Sequence, residues 1–147
     1  MKFYTDILLE KERLELLKFT EKNVESLGPD HPGLQSFADF HKHEELKILI
    51  NKIKPFIEEY IIQKCWANLS HGDFIYWHKH DASDKSIVYY LKNKSNIGTM
   101  FKKEGHKIEV SKGVENSLLI FNSKLLHSVP CHLPEERYSI TFDLIKK

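Results

Sequence analysis

Two histidines separated by one residue, His78 and His80, follow the aromatic run FIYW and precede the segment DASD. In a β-strand, residues i and i+2 project to the same side with Cα atoms roughly 6.5–7 Å apart, so two imidazoles at this spacing can converge on one metal ion. A third histidine, His127, lies far along the chain in LLHSV, another segment typical of a strand. The three residues predict a metal site, provided that the fold brings them together.

The same tripeptide, HKH, occurs earlier at residues 41–43. It precedes the acidic pair Glu44 and Glu45 at the expected start of a helix, where side chains two residues apart diverge by about 200° around the axis. His41 and His43 are therefore expected to be polar, solvated rings without an ion. Three further histidines are expected to be loop or strand-edge residues: His71, His106 and His132.

An arginine follows His127 by ten residues, in the strand-like segment ERYSITFDL. Strand alternation places Arg137 and Ser139 on one face and Tyr138 and Ile140 on the other. A guanidinium on the inner face of a sheet is costly unless an anion pairs with it. A carboxylate suits its planar fork, and the Ser139 hydroxyl can add one hydrogen bond. The sequence therefore predicts a carboxylate ligand at Arg137.

The elements that must position these residues fall into two parts. Apolar residues recur at a period near 3.6 from Glu10 to about Val24, and again from about His43 to Ile62, where Pro55 should kink or restart the helix. After Lys64, eight short runs rich in β-branched and aromatic residues are separated by turn segments such as NKSNIG. Eight strands at this spacing predict a jelly roll, with the helices packed over the outer face of one sheet.

Composition limits the classes of function. A chain of 147 residues fits one domain, which we divide into a helical N-terminal support, residues 1–63, and a jelly-roll core, residues 64–147. The net charge is +1 without a basic stripe, so nucleic acid is not expected as a partner. The longest apolar stretch, SLLIF, is strand-sized, so no membrane span is expected. Cys65 and Cys131 lack CxxC spacing and no secretory leader is recognisable, which favours inert thiols in a cytoplasmic protein.

The order of these segments resembles the 2-oxoglutarate- and Fe(II)-dependent oxygenases. The resemblance rests on His78-x-His80, SIVYYL, SLLIFNSKLLHSV and ERYSITFDL, and it covers about residues 64–144. It is closest to small oxygenases of bacteria and phages that carry an H-x-H motif before a strand of the S-G-x-Y-Y kind. The resemblance implies a double-stranded β-helix, a jelly-roll variant, in agreement with the strand count.

The resemblance also implies roles for individual residues. His78 is similar to the first iron ligand and His127 to the distal one. Arg137 is similar to the residue that binds the far carboxylate of 2-oxoglutarate, with Ser139 completing an R-x-S pattern. The resemblance further singles out Tyr90, in the place of a tyrosine that often assists, and Trp66 and Asn68, a W-x-N element whose asparagine can touch the co-substrate.

One position departs from the pattern of the superfamily. Most members have H-x-D, whereas the second position here is His80, with Asp81 one place later. His80 can bind directly in a three-histidine site, Asp81 can swing in to provide a carboxylate, or the metal site is weakened or lost. Strand alternation favours His80, because Asp81 should point to the opposite face. An imidazole in place of a carboxylate leaves the ion site one unit more positive, which should alter its redox potential.

The implied function is that of a hydroxylase, which uses O2 and couples the oxidative decarboxylation of 2-oxoglutarate to hydroxylation of a C–H bond. The short chain leaves few insertions for a deep lid, which suggests a residue of a peptide or protein as substrate. Two alternatives stay open: a cupin-like three-histidine metalloenzyme that works without 2-oxoglutarate, and a non-enzymatic binding module on the same fold.

Overall fold

A computed structural model of the chain describes residues 1–29, 33–70, 75–130 and 135–147. The α-helices are α1 (Glu10–Glu21) and α2 (Lys47–Ile53). Short 3₁₀ turns lie at Phe40–Lys42, Glu44–Leu46, Lys54–Phe56 and Glu104–His106. The strands are β1 (Lys2–Tyr4), β2 (Leu34–Gln35), β3 (Tyr60–Ser70), β4 (Ile75–His78), β5 (Lys85–Lys92), β6 (Ile97–Lys102), β7 (Ile108–Lys112), β8 (Ser117–Asn122), β9 (Leu126–Val129) and β10 (Arg137–Lys146).

The strands form two antiparallel sheets that face each other. The larger sheet has the order β1-β8-β5-β10-β3-β2, and the smaller one has the order β4-β9-β6-β7. The eight strands predicted after Lys64 are all present, as β3 to β10, which confirms the predicted jelly roll. Strand β10 lies between β3 and β5, and every one of its residues from Arg137 to Leu144 is buried.

The N-terminal part differs in detail from the prediction. Helix α1 ends at Glu21 rather than near Val24. The helix predicted over residues 43–62 is reduced to the seven residues of α2, because Pro55 lacks the N–H that would continue it and lies in a 3₁₀ turn instead. The chain then enters β3 at Tyr60, and β1 and β2 also come from this part of the chain. Within the described residues, no helix has the length and apolar character needed to cross a membrane.

The buried apolar side chains form two layers. The outer layer lies between the helices and the larger sheet, as predicted, and includes Leu16, Leu46, Leu49, Ile53, Tyr89, Ile140 and Phe142. The inner layer lies between the two sheets and consists of Val88, Tyr90, Phe101, Leu119 and Phe121. Tyr89 and Tyr90 are neighbours on β5 that enter different layers, because successive side chains of a strand point to opposite faces. The inner layer fills only part of the space between the sheets, and polar side chains surround the rest.

Asn116 fastens the segment before α1 to the larger sheet. Its φ of 64° lies in the left-handed region, which asparagine tolerates better than most residues. Its Oδ1 accepts hydrogen bonds from the Leu8 N–H at 2.9 Å and from the Tyr89 hydroxyl at 2.7 Å, while its Nδ2 donates to the Leu8 carbonyl at 2.8 Å. One side chain therefore satisfies three polar groups of two buried residues.

We expect Asn116→Ala to lower the free energy of unfolding by about 2–4 kcal/mol, because it leaves the Tyr89 hydroxyl and the Leu8 backbone unpaired and strains the left-handed position. Asn116→Gly relieves the strain but loses the same hydrogen bonds, so its stability should fall between the alanine variant and the wild type. Urea unfolding of the three proteins measures both contributions. An alanine variant as stable as the wild type would show that these hydrogen bonds do not anchor the segment.

Candidate metal centre

Three histidines converge at one end of the space between the sheets. His78 ends β4 and lies opposite His127 of β9 in the antiparallel ladder. His80 lies two residues beyond β4, where its backbone N–H donates to the Ser123 carbonyl at 2.8 Å. The ligand nitrogens of the three rings all lie within 4.8 Å of one another. The described part of the chain contains no second group of three His, Cys or acidic side chains placed to hold an ion.

The hydrogen bonds of the three rings leave the same nitrogen free. Each Nδ1 lies 2.7 Å from an oxygen: the Tyr76 carbonyl for His78, the Leu125 carbonyl for His127, and Asp143 Oδ1 for His80. Carbonyl and carboxylate oxygens only accept, so each Nδ1 carries the proton and each Nε2 keeps its lone pair. This is the tautomer in which three imidazoles can bind one divalent ion.

Burial keeps two of these imidazoles neutral. Desolvation lowers the pKa of His127 to about 4, and it also lowers the pKa of His78. A neutral imidazole binds a metal ion, whereas a protonated one does not. At neutral pH the two side chains are therefore in the form that can act as ligands.

Arg137 lies at the other end of the same cavity, which has a volume of about 250 Å³. The side chain is buried, with the residue only 2% exposed. Its Nη1 donates to the carbonyls of Ile97 at 3.2 Å and Gly98 at 2.9 Å, and its Cζ lies 5.5 Å from the centre of the Tyr90 ring. Burial lowers the pKa of the guanidinium, although arginine stays charged in proteins.

The charge of Arg137 is not balanced by the residues around it. None of the ion pairs between described residues includes Arg137. Its Nε is buried without a hydrogen-bond partner in the described part of the chain, and the same holds for Ser128 Oγ, which belongs to another lining residue. The cavity thus presents a buried cation and two unsatisfied polar atoms.

The structure brings most of the predicted site residues to this cavity. The predicted residues that line it are Trp66, Asn68, His78, His80, His127, Arg137 and Ser139. Tyr90 lies just behind the lining, and its hydroxyl is 2.9 Å from Oγ1 of Thr99, which does line the cavity. Asp81 lies outside the histidine cluster: its exposed carboxylate pairs with Lys79 at 3.4 Å. The alternation of the strand therefore continues past its end, as expected from β-geometry.

The remaining predictions concern residues away from the cavity. His43 packs its ring against Phe19 and Phe40, with centroid distances of 5.1 and 5.5 Å, and neither His41 nor His43 belongs to a metal cluster of the described residues. Cys65 is a buried free thiol whose pKa is raised by desolvation, in keeping with an inert role. His71, Cys131 and His132 lie outside the described residues.

Asp143 was not predicted from the sequence as part of the site. It lies on the same face of β10 as Arg137, Ser139 and Thr141, and all four are buried. The alternation of residue types could have identified it, because these four polar residues occupy every second position of an otherwise apolar segment. Thr99 of β6 and Gln35 of β2 also line the cavity, and nothing in their local sequence singles them out.

Solved structures show which proteins share this fold. The viral collagen prolyl hydroxylase of Paramecium bursaria Chlorella virus 1, solved with 2-oxoglutarate, has a TM-score of 0.70 and 17% identity over 97% of this chain and 94% of that one. A prolyl hydroxylase of Trichoplax adhaerens, solved with a peptide of the oxygen degradation domain of hypoxia inducible factor, has a TM-score of 0.70 and 15% identity over 99% and 83%. The chain has the fold of the 2-oxoglutarate- and Fe(II)-dependent oxygenases.

HygX of Streptomyces hygroscopicus, solved with nickel and 2-oxoglutarate, has the same fold, with a TM-score of 0.73 and 10% identity over 99% of this chain and 82% of that one. No protein-family model matches the chain, and no curated protein is similar to it in sequence. The similarity is therefore one of backbone fold.

We expect the chelator-treated protein to bind one Mn(II) per chain, and His78→Ala or His127→Ala to abolish this binding, because each removes one of three converging ligands. Isothermal titration calorimetry measures the stoichiometry and the affinity. His106→Ala is the matched control, since His106 lies in an exposed 3₁₀ turn away from the cluster. Equal binding by all four proteins would place the ion elsewhere.

Proposed function

We propose that the protein is a 2-oxoglutarate- and Fe(II)-dependent oxygenase that hydroxylates a C–H bond of its substrate. One observation carries the proposal: a buried arginine that has no anionic partner among the described residues lines the same cavity as three histidines that can present Nε2 to one ion. The cavity therefore suits a cation at one end and an anion at the other. 2-Oxoglutarate joins the two ends, because its keto acid chelates a metal while its far carboxylate pairs with a guanidinium.

The size of the cavity supports a small co-substrate. Its volume of about 250 Å³ is below the roughly 300–1,000 Å³ of pockets for drug-sized ligands. A wider cleft of about 490 Å³ adjoins it and shares Gln35, Trp66 and His80 with it. We assign this cleft to the substrate, because it is open to solvent and His80 of the histidine cluster lines it. Its exposed Phe37 and Leu27 offer apolar contacts to a residue of a peptide or protein.

Fe(II) and 2-oxoglutarate, when bound, would activate O2, which is the oxidant: one oxygen atom would enter the C–H bond of the substrate and the other would enter succinate, with release of carbon dioxide. His78, His80 and His127 would hold the ion through their Nε2 atoms. Arg137 would orient the far carboxylate and, with Ser139, would donate hydrogen bonds to it. The carbonyls of Ile97 and Gly98 hold the guanidinium in place, so little freedom is lost when the co-substrate binds.

Iron and a cytoplasmic location are further parts of the proposal. Imidazole ligands accept zinc, copper, nickel and iron alike, so the ligands alone do not select the metal. The proposed reaction excludes zinc, because it requires a redox-active ion and zinc is redox-inert, and we propose iron as that ion. The free thiol of Cys65 is consistent with a reducing compartment, in which ferrous iron is retained.

A cupin-like enzyme that uses the three histidines without 2-oxoglutarate is the second candidate. No carboxylate of the described residues belongs to the histidine cluster, which favours this candidate. It leaves the buried charge of Arg137 without an anion, however, and such a charge costs several kcal/mol in the interior. The third candidate, a binding module without a metal, is less favoured, because it gives neither the three histidines nor Arg137 a ligand.

We expect 2-oxoglutarate to raise the Tm of the Mn(II)-loaded protein, because a ligand at about 100 times its Kd adds about 2.7 kcal/mol of stability. Arg137→Gln should abolish this shift. Arg13→Gln is the matched control, since Arg13 is also a buried arginine that donates to a backbone carbonyl, that of Leu91, at 2.9 Å. Arg13→Gln should lower the Tm of the free protein and keep the shift. The absence of a shift in the wild type at every concentration would favour the cupin-like candidate.

We expect the Fe(II)-loaded protein to release succinate from 2-oxoglutarate faster with peptides than with free amino acids, because a peptide can fill the wider cleft. A coupled succinate assay over peptides, amino acids and nucleosides measures the difference. A signal confined to nucleosides would contradict the peptide as substrate while preserving the oxygenase.

A further inference from the structure

We infer that Asp143 is a positioning residue of the metal centre, which supplies through His80 the negative charge that the three histidines lack. The inference rests on the proposed function, because it concerns the ion that this function requires. Most members of the superfamily have an aspartate at the second ligand position, whereas this chain has His80. Asp143 would supply the negative charge that this aspartate would otherwise bring.

The geometry joins Asp143 to His80 and to one other side chain. Asp143 Oδ1 lies 2.7 Å from His80 Nδ1 and 2.8 Å from Ser86 Oγ. Ser86 lies opposite Asp143 in the β5–β10 ladder and is fully buried, while Asp143 is 6% exposed. The Trp66 ring lies 5.6 Å from the His80 ring. The His80 imidazole is thus held by a hydrogen bond on its Nδ1 side and faces the cavity with its Nε2.

Within the described residues, no lysine or arginine forms an ion pair with Asp143: Lys64 lies opposite it in the β3–β10 ladder, but its side chain is exposed and forms none of the ion pairs. The ion pairs there join Asp143 to His80 alone, and His80 is neutral when it acts as a metal ligand. Hydrogen bonds from His80 and Ser86 lower the cost of burying a carboxylate but do not neutralise it. A divalent ion on His80 Nε2 would do so from the other side of the ring. Each proposed ligand of the cavity therefore has a buried charge of opposite sign near it: Arg137 in the lining for the anion, and Asp143 behind His80 for the cation.

The consequence for the ion concerns charge and ligand strength. Three neutral imidazoles leave a divalent ion at +2, whereas two imidazoles and a carboxylate leave it at +1. With Asp143 behind His80, the total returns to +1 although the carboxylate does not touch the metal. A carboxylate that accepts the Nδ1–H also makes Nε2 a stronger donor and fixes the orientation of the ring.

A purely structural role for Asp143 predicts a different response to substitution. If Asp143 only fastened His80 to the core, an amide oxygen would accept the same hydrogen bond and preserve the site. Asp143→Asn keeps the shape and an acceptor but removes the charge. Asp84→Asn is the matched control, because Asp84 is exposed and its Oδ2 accepts a hydrogen bond from the Lys146 N–H at 2.8 Å.

The experiment compares Mn(II) affinity and the visible spectrum of the Co(II)-loaded protein in the wild type and both variants, with succinate release by the Fe(II)-loaded wild type measured alongside. We expect Asp143→Asn to weaken Mn(II) binding about 10–100-fold and to shift the Co(II) bands, and Asp84→Asn to change neither. Unchanged affinity and bands in Asp143→Asn overturn the role of Asp143 and leave the proposed oxygenase intact. Weakened binding in that variant, with no succinate from the wild type, supports the role of Asp143 and overturns the oxygenase. A wild type that binds neither ion overturns both.

Ser86→Ala provides a second variant if Asp143→Asn does not fold. It removes the other donor to Oδ1, so the carboxylate interacts more strongly with His80 and Mn(II) should bind more tightly. A structural role predicts the reverse, because His80 would be held less firmly. Weaker Mn(II) binding by a folded Ser86→Ala protein therefore overturns the inference.

Discussion

Strand β10 lies in the middle of the larger sheet and is covered on both faces, so each of its side chains must be satisfied inside the protein. Its apolar face contacts the outer layer, where each of Ile140, Phe142 and Leu144 stabilises the fold by about 1.5–3 kcal/mol. Its polar face carries Arg137 and Asp143 into the space between the sheets. The apolar face offsets the cost of burying those charges, and the site depends on this balance.

The two buried charges of β10 lie six residues apart, roughly 20 Å along the strand between Cα atoms. They do not form an ion pair with each other. Arg137 lines the cavity, whereas Asp143 lies behind His80 and lines the adjoining cleft, so a metal ion with a dicarboxylate would satisfy both charges. The three histidines reach the same cavity from β4, β9 and the residues that follow β4, so the two sheets must pack correctly before the ligands meet.

The N-terminal part of the chain also contributes to the site. Ser36 follows β2 and fastens this segment to β3, with its N–H donating to the Ala67 carbonyl at 2.9 Å and its Oγ accepting from the Ala67 N–H at 2.8 Å. This contact places Gln35 in the lining of the cavity and Phe37 in the adjoining cleft. The segment before the jelly roll is therefore a wall of the site as well as a support for the larger sheet.

The sequence by itself determined the features that depend on local periodicity. The alternation of apolar and polar residues located all eight strands of the jelly roll, placed His78 and His80 on one side, and placed Arg137 with Ser139 on the polar face of β10. The same periodicity gave a wrong prediction after Pro55, where a helix was predicted as far as Ile62. The apolar residues there suit either a helix or a strand, and those from Tyr60 onward belong to β3.

The tertiary structure decided the rest, because the remaining features depend on which distant segments become neighbours. Only the pairing of β5 with β10 brings Ser86 beside Asp143, and only the packing of the sheets brings Asp143 to His80, 63 residues away in the chain. The same packing leaves Asp81 in solvent with Lys79 and turns His80 toward His78 and His127. A register shift of one residue would reverse each of these positions, and no local pattern around His80 records that register.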